Sequence, residues 1–158
     1  MSSANILEVE NLSKSYSGHT AVDSISFQIK RGEIVGFLGP NGAGKSTTMR
    51  IISTFQPATS GSVRVAGHDV FYQPTAAQKA IGYMPEHNPL PLELRVREYL
   101  QFRARLRQMK NRPRLDEVTD QCGLKSVANR IIGQLSKGYR QRVGLADALL
   151  HEPELVIL

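Results

Sequence analysis

Eight residues constrain this chain more than any others. Gly39-Pro40-Asn41-Gly42-Ala43-Gly44-Lys45-Ser46 lies between an apolar run at 34–38 and a stretch at 47–54 that reads as a helix. A glycine, four residues, then Gly-Lys-Ser is the spacing of a strand–loop–helix phosphate cradle. Such a cradle needs several backbone N–H groups converging on anionic oxygens, and Gly42 and Gly44 permit that approach because they carry no Cβ. Lys45 supplies a mobile positive charge for β- and γ-phosphates, and the Ser46 hydroxyl suits Mg2+. The helix starting at Lys45 adds a favourable dipole. From average residue frequencies, a chance match in about 150 windows has odds of roughly half a percent. Gly39, Pro40, Asn41, Gly42, Ala43, Gly44, Lys45, Ser46 and Thr47 therefore read as a nucleoside triphosphate site, with Ser46 as the candidate Mg2+ ligand.

The surrounding pattern supplies the class of fold. Residues 6–10 and 24–29 alternate as half-buried antiparallel strands do, whereas the continuous apolar run at 34–38 predicts a central strand covered on both faces. Further strands are expected at 62–66, 81–84 and 154–158, with helices at 95–110, 114–122 and 137–151; Pro89 and Pro91 make 86–92 a loop. Strands alternating with helices after Gly32 argue an α/β sheet preceded by an antiparallel section. Hydrophobic residues at 41% and charged residues at 22% fit a globular domain rather than disorder. A single cysteine, Cys122, excludes an internal disulfide and reads as a small buried hydrophobe. His19, His68, His87 and His151 show no metal-ligand spacing. No apolar run approaches the roughly 18 residues that span a bilayer. Residues 1–10 lack the basic head of a secretory signal, so the chain reads as cytoplasmic.

The net charge of +6 is local. Between Pro91 and Arg114 the basic residues Arg95, Arg97, Arg103, Arg105, Arg107, Lys110, Arg112 and Arg114 face only Glu93 and Glu98, which accounts for the whole excess. Two readings stay open: a contact with anionic lipid, nucleic acid or an acidic partner, or a solvated helix face. Within this helix Tyr99, Phe102, Leu106 and Met109 recur at helical spacing and predict the buried stripe, with the arginines mostly elsewhere.

A second motif narrows the family. Leu135-Ser136-Lys137-Gly138-Tyr139-Arg140-Gln141-Arg142, followed by an Ala/Leu-rich helix and His151-Glu152-Pro153, resembles the signature segment of ATP-binding cassette (ABC) ATPases. Ser15-Tyr16 through Phe27 resembles that family's adenine-stacking strand pair. Gly82-Tyr83-Met84-Pro85-Glu86 stands at its glutamine loop, and 154–158 resembles the lead-in to its Walker B strand. Tyr83 to Leu90 and the Lys-Gly-Tyr signature look most like ATPase subunits of ABC-2-type exporters, of the gliding-motility and multidrug kinds.

The resemblance implies a P-loop NTPase of ABC type: an N-terminal antiparallel β section, a parallel core sheet and a helical signature subdomain. Residues 1–158 would be the N-terminal part of one ATP-binding domain. Its core and antiparallel section would occupy about 6–86, its helical and signature region about 87–151, and the start of the Walker B strand 154–158. The implied cofactors are ATP and Mg2+. Tyr16 would stack on adenine, Glu86 would occupy the glutamine-loop position, and Leu135, Ser136, Lys137, Gly138 and Tyr139 would form the signature that faces a partner's γ-phosphate.

Lys137 and Tyr139 replace the commoner Gly and Gln, and Glu86, unlike glutamine, cannot donate a hydrogen bond when ionised. Asp147 stands where arginine is common. The implied partners are a second cassette, as a homodimer or a pair, and a multi-span membrane permease, which would place the chain peripherally on the inner face of the cell membrane. Two alternatives remain: a soluble ABC ATPase acting on ribosomes or nucleic acid, though nucleic acid is not expected, and a non-catalytic nucleotide-binding fragment. The family's Walker B carboxylates and switch histidine would lie beyond Leu158, so the domain is expected to be incomplete and these residues alone to have negligible turnover.

Overall fold

The structure, a computed structural model, describes residues 4–109 and 113–158. They form two units, one ending at Ile81 and the other starting at Gly82.

In the first unit, β1 (Asn5–Tyr16) and β2 (His19–Lys30) make an antiparallel hairpin, with Val9 opposite Phe27 and Tyr16 opposite His19. β3 (Ser60–Val65) pairs with the other edge of β1 and is followed by β4 (His68–Asp69), so the sheet order is β2-β1-β3-β4. Leu7, Val9 and Leu12 of β1 are buried with Val63 and Val65 of β3. A register shift between Val9 and Leu12, with Asn11 at a φ of 47°, resets the alternation so that Leu12 also faces the core. The sequence pattern stops at Glu10 because this bulge breaks the two-residue period, and the strand continues to Tyr16.

Two helices complete this unit. α1 (Lys45–Ile52) buries Thr48, Ile51 and Ile52. α2 (Pro74–Ala80) starts on a proline and buries only Ala77 and Ala80. So small an apolar stripe leaves little periodic signal, and α2 was not expected.

The expectation for residues 34–38 is corrected. They form no strand, and Ile34 and Leu38 are 101% and 93% exposed. A strand exists only where a neighbour takes its N–H and C=O groups, and none of the described strands pairs with this run. Its side chains meet the hairpin through Phe37, whose ring centroid lies 5.7 Å from that of Phe27.

In the second unit, β5 (Ile81–Tyr83), which starts on the last residue of the first, pairs with β6 (Leu155–Ile157), and Met84 N–H donates to Ile157 O at 2.9 Å. α3 (Val96–Leu106), α4 (Pro113–Gln121) and α5 (Lys137–Leu149) surround a core of Val96, Leu100, Val118, Leu124, Ile132 and Val143. Cys122 is buried in the same cluster, and burial pushes its thiol pKa up. The end of the helix expected at 95–110, with Lys110 and Arg112 of the basic run, lies outside the described residues.

The expected apolar stripe of α3 is also corrected. Tyr99 is buried, but Phe102 and Leu106 are 50% and 60% exposed. The inward face is Val96, Tyr99 and Leu100, continued by Arg103 and Arg107, because Asp147 of α5 draws both guanidinium groups toward it.

Where the chain enters this unit it runs hard against α5. A Cβ on Gly82 would run into Ala148 O and come within 2.8 Å of Pro153 Cγ. One turn earlier, a Cβ on Gly144 would collide with Asn88 Nδ2 and lie 2.9 Å from Asn88 Cγ. Asn88 Nδ2 is itself buried without a hydrogen-bond partner among the described residues. Gly144→Ala is therefore expected to destabilise the chain by about 1–3 kcal/mol in urea unfolding, the usual cost of overpacking. Adding Asn88→Ala should recover most of that loss.

Candidate functional site

The glycine-rich loop leads directly into α1 in the first unit. Gly42 and Gly44 adopt φ of 85° and 80°, the left-handed region that suits glycine. Gly44 is fixed by contact as well: a Cβ there would run into Ala21 O of β2 and sit 3.0 Å from Val22 Cγ2. The loop is thus seated on β2 beside the hairpin turn, where Lys14 lies opposite Val22 and Tyr16 opposite His19.

Gly44 caps α1 with no side-chain hydrogen bond, so the first-turn N–H groups face outward unclaimed by a cap. No acidic residue stands in that first turn. Thr48 Oγ1 donates to Gly44 O at 3.0 Å and holds the turn from beneath. Lys45 folds back, its ammonium donating to Gly39 O and Pro40 O, both at 2.7 Å. Positive φ at successive glycines, open N–H groups and a mobile ammonium together make a concave anion cradle. Ser46 is exposed at the second position of α1. No group of three or more His, Cys, Asp or Glu side chains among the described residues would hold a metal by itself. One hydroxyl completed by phosphate oxygens and water nevertheless fits the ligand habits of Mg2+.

Tyr16 ends β1 with its ring 43% exposed. Gln56 Nε2 donates to its hydroxyl, and Lys14 Nζ lies 5.1 Å from the ring centroid. Sequence reasoning missed Gln56, because nothing in the spacing links it to Tyr16.

The signature residues lie in the second unit. Ser136 caps α5, its Oγ accepting from Tyr139 N–H at 3.3 Å. Leu135 is buried, whereas Ser136, Lys137 and Gly138 are exposed at the helix start. Arg142 stacks over Tyr139, its guanidinium carbon 5.5 Å from the ring centroid. Glu86 is exposed in the loop after β5.

The basic run resolves into ion pairs. Arg95 meets Glu98, Arg97 meets Asp116, and Arg114 meets Glu117 and Glu152. Arg103 Nε donates to Asp147 Oδ1 at 2.8 Å, and Arg107 lies 3.8 Å from the same oxygen. Arg107 also contacts His151 Nδ1. Of the described arginines in this run, Arg105 alone has no carboxylate partner among the described residues. Asp147, without an account from sequence, is thus the hub joining α3 to α5.

Tyr99 OH donates to Asp147 Oδ2 at 3.1 Å. Burial first, and Asp147's charge second, push the Tyr99 pKa up to about 12. Burial is the largest single influence on Arg103 and works against its charge, but the hydrogen bond to Asp147 and the charge of Asp147 together outweigh it and hold Arg103 above its usual value; burial leaves Arg107 below its own.

Comparison with known proteins places this arrangement. Residues 22–158 match the family described as ABC transporter. The bacitracin transport ATP-binding protein BcrA of Bacillus licheniformis is 36% identical over 155 residues, 98% of this chain and 51% of that protein. The linearmycin resistance ATP-binding protein LnrL of Bacillus subtilis is 37% identical over 156 residues, covering 97% and 50%. Among solved structures, cbiO1 of Clostridium perfringens, part of the ABC transporter complex cbiONQ, superposes with a TM-score of 0.84 at 30% identity, over 98% of this chain and 65% of that one. An ATP-binding subunit of an ABC transporter gives 0.85 at 28% identity, over 96% and 64%. Fold and glycine-rich loop together define a P-loop nucleotide-binding protein. The chain belongs to the ABC transporter ATP-binding family. It spans about half the length of the curated relatives it matches. Among the described residues, no helix is long and apolar enough to cross a membrane.

Two outcomes are expected. Gly44→Ala should abolish binding of ATP in a fluorescent-nucleotide titration, since its Cβ cannot share space with Ala21 O. Tyr99 should titrate near 12 by absorbance at 295 nm, and Asp147→Asn should lower that value only in part, because burial is the larger cause. A phenol pKa raised in the folded state contributes stability in full below about 10 and loses it as pH climbs through about 12.

Proposed function

We propose that the chain is the ATP-binding part of an ABC exporter subunit that, in its complete form, dimerises around Mg-ATP and drives a separate membrane permease. The observation that carries this reading is the seating of Gly44 on β2, which turns the open N-terminus of α1 and Lys45 into a cradle for a triphosphate.

ATP would enter by drawing the Lys45 ammonium from Gly39 O and Pro40 O onto phosphate oxygens, with the N–H groups of Gly42, Gly44 and Lys45 closing around them. Tyr16 would stack on the adenine, an attraction worth about 1–3 kcal/mol that needs only a ring face. Ser46 would hold Mg2+, which neutralises charge on the phosphate oxygens. Glu86, able only to accept hydrogen bonds when ionised, would orient water or a metal-bound water rather than donate to phosphate. Ser136, Gly138 and the Lys137 charge, at the exposed start of α5, suit the γ-phosphate bound by a partner cassette.

Relatives named for bacitracin transport and linearmycin resistance support export of a drug-like substrate. The place of action would be the inner face of the cell membrane, beside the permease. Internal pairing of Arg95, Arg97, Arg103, Arg107 and Arg114 weighs against the alternative in which this run grips nucleic acid.

The peptide of residues 1–158 should bind Mg-ATP in isothermal titration. Lys45→Ala should weaken binding about 10- to 100-fold, matching the loss of charge-assisted hydrogen bonds worth about 1.5–3 kcal/mol. The same peptide lacks the carboxylates that the resemblance assigns to hydrolysis, so its phosphate release should equal that of the Lys45→Ala blank. An equal affinity for both chains would refute the cradle, and clear phosphate release above the blank would refute the division of labour.

A further inference from the structure

The hydroxyl end of Tyr16 is tethered to the segment that follows the helix carrying the phosphate cradle. α1 presents its N-terminus at Gly44 and ends at Ile52; the chain then turns through Thr54, at a φ of 67°, and reaches Gln56. Gln78 Nε2 pins this turn by donating to Thr54 Oγ1 at 2.6 Å. The following residues are stitched along the end of β1: Thr59 N–H donates to Ser13 O at 2.9 Å, and Ser15 N–H to Thr59 Oγ1 at 3.0 Å. From this braced segment Gln56 Nε2 reaches the Tyr16 hydroxyl. On the ring itself, the Lys14 ammonium stands 5.1 Å from the centroid and occupies one face.

A half-exposed tyrosine at a strand end would otherwise rotate freely about its side-chain bonds, and a stacking partner would have to meet the entropy cost of stopping it. Here one face is taken by a cation and the hydroxyl is tied down, so a single face is offered in a fixed orientation. The eight residues of α1 span about 12 Å at 1.5 Å per residue. Phosphate cradle and ring anchor are therefore joined by one short helix and the pinned turn that follows it.

We propose that Gln56 is a positioning residue for nucleotide recognition: by holding the Tyr16 hydroxyl from the turn that follows α1, it fixes the ring for stacking on the base and makes affinity depend on the base as well as on the phosphates. The inference rests on the base-stacking reading of Tyr16 given above. Gln56 touches no nucleotide; it acts through the ring. Lys14 has a companion role, closing the ring face that the base does not use.

The test compares Mg-ATP with Mg-tripolyphosphate, which has the phosphates and no base, by isothermal titration on the unsubstituted chain, Gln56→Leu, Gln56→Glu, Tyr16→Phe and the Gln56→Leu/Tyr16→Phe double variant. Melting curves for each verify folding. Gln56→Leu should weaken ATP about three- to tenfold, within the scale of one base stack, and leave tripolyphosphate unchanged. Tyr16→Phe should match it, and the double variant should be no worse than either single one, because both remove the same bond. Gln56→Glu should keep the preference for ATP, since its carboxylate accepts the phenol proton.

Equal weakening of both ligands by Gln56→Leu would overturn the proposal and leave Gln56 a packing residue. Unchanged ATP affinity would overturn it too. If the unsubstituted chain binds tripolyphosphate as tightly as ATP, the base-stacking reading fails and takes this inference with it, whereas a base preference that survives Gln56→Leu sinks the inference alone.

Discussion

Main chain pressed on main chain, made possible by the missing Cβ of two glycines, sets the geometry of both units. Gly44 lets the start of α1 settle on the carbonyl of Ala21, and so brings the loop, the helix N-terminus and the hairpin end that bears Tyr16 into one neighbourhood. Gly82 lets β5 pass against Ala148 O near the end of α5. Neither contact depends on hydrophobic area. Each demands a residue with no side chain, and the position of nearby functional groups follows from it: Lys45 and Ser46 in one unit, and the Glu86 loop in the other.

The second unit is organised by a carboxylate as much as by its apolar core. Asp147 accepts from Tyr99 and Arg103 and lies close to Arg107, so two side chains of α3 and that of the residue capping it converge on one residue of α5. Truncating that carboxylate would strand two partly buried guanidinium groups, which is why such a hub is costly to remove even where it adds little net stability. It also changes what the basic run means. Among the described residues, Arg95, Arg97, Arg103, Arg107 and Arg114 of this stretch are each paired with a carboxylate, most of them from α4 and α5, so the local field there is weaker than the composition of the stretch implies.

Much of the site was legible in the sequence because its chemistry is local. The spacing of glycines before a helix start is a local signal, and α1 does begin at Lys45 directly after Gly44, although the strand expected before the loop does not form. The cap of α5 is local as well, Ser136 Oγ accepting from Tyr139 N–H three residues on. What failed was non-local. Residues 34–38 look like a strand because they are apolar, yet a strand is a property of two neighbours, and none is bonded here. The inward face of α3 could not be had from hydrophobic spacing, since arginines turned inward to Asp147 displace Phe102 and Leu106 to the surface. Gln56 was invisible for a like reason: its partner lies 40 residues away in the chain.

The bonds from Lys45 to Gly39 O and Pro40 O carry a further consequence. The Lys45 ammonium closes the loop on itself by bridging two of its own carbonyls. Entry of an anion is therefore an exchange reaction, in which two carbonyl bonds are surrendered before any are gained. A ligand that offers several oxygens at once can replace both bonds, whereas one that offers a single contact replaces only one.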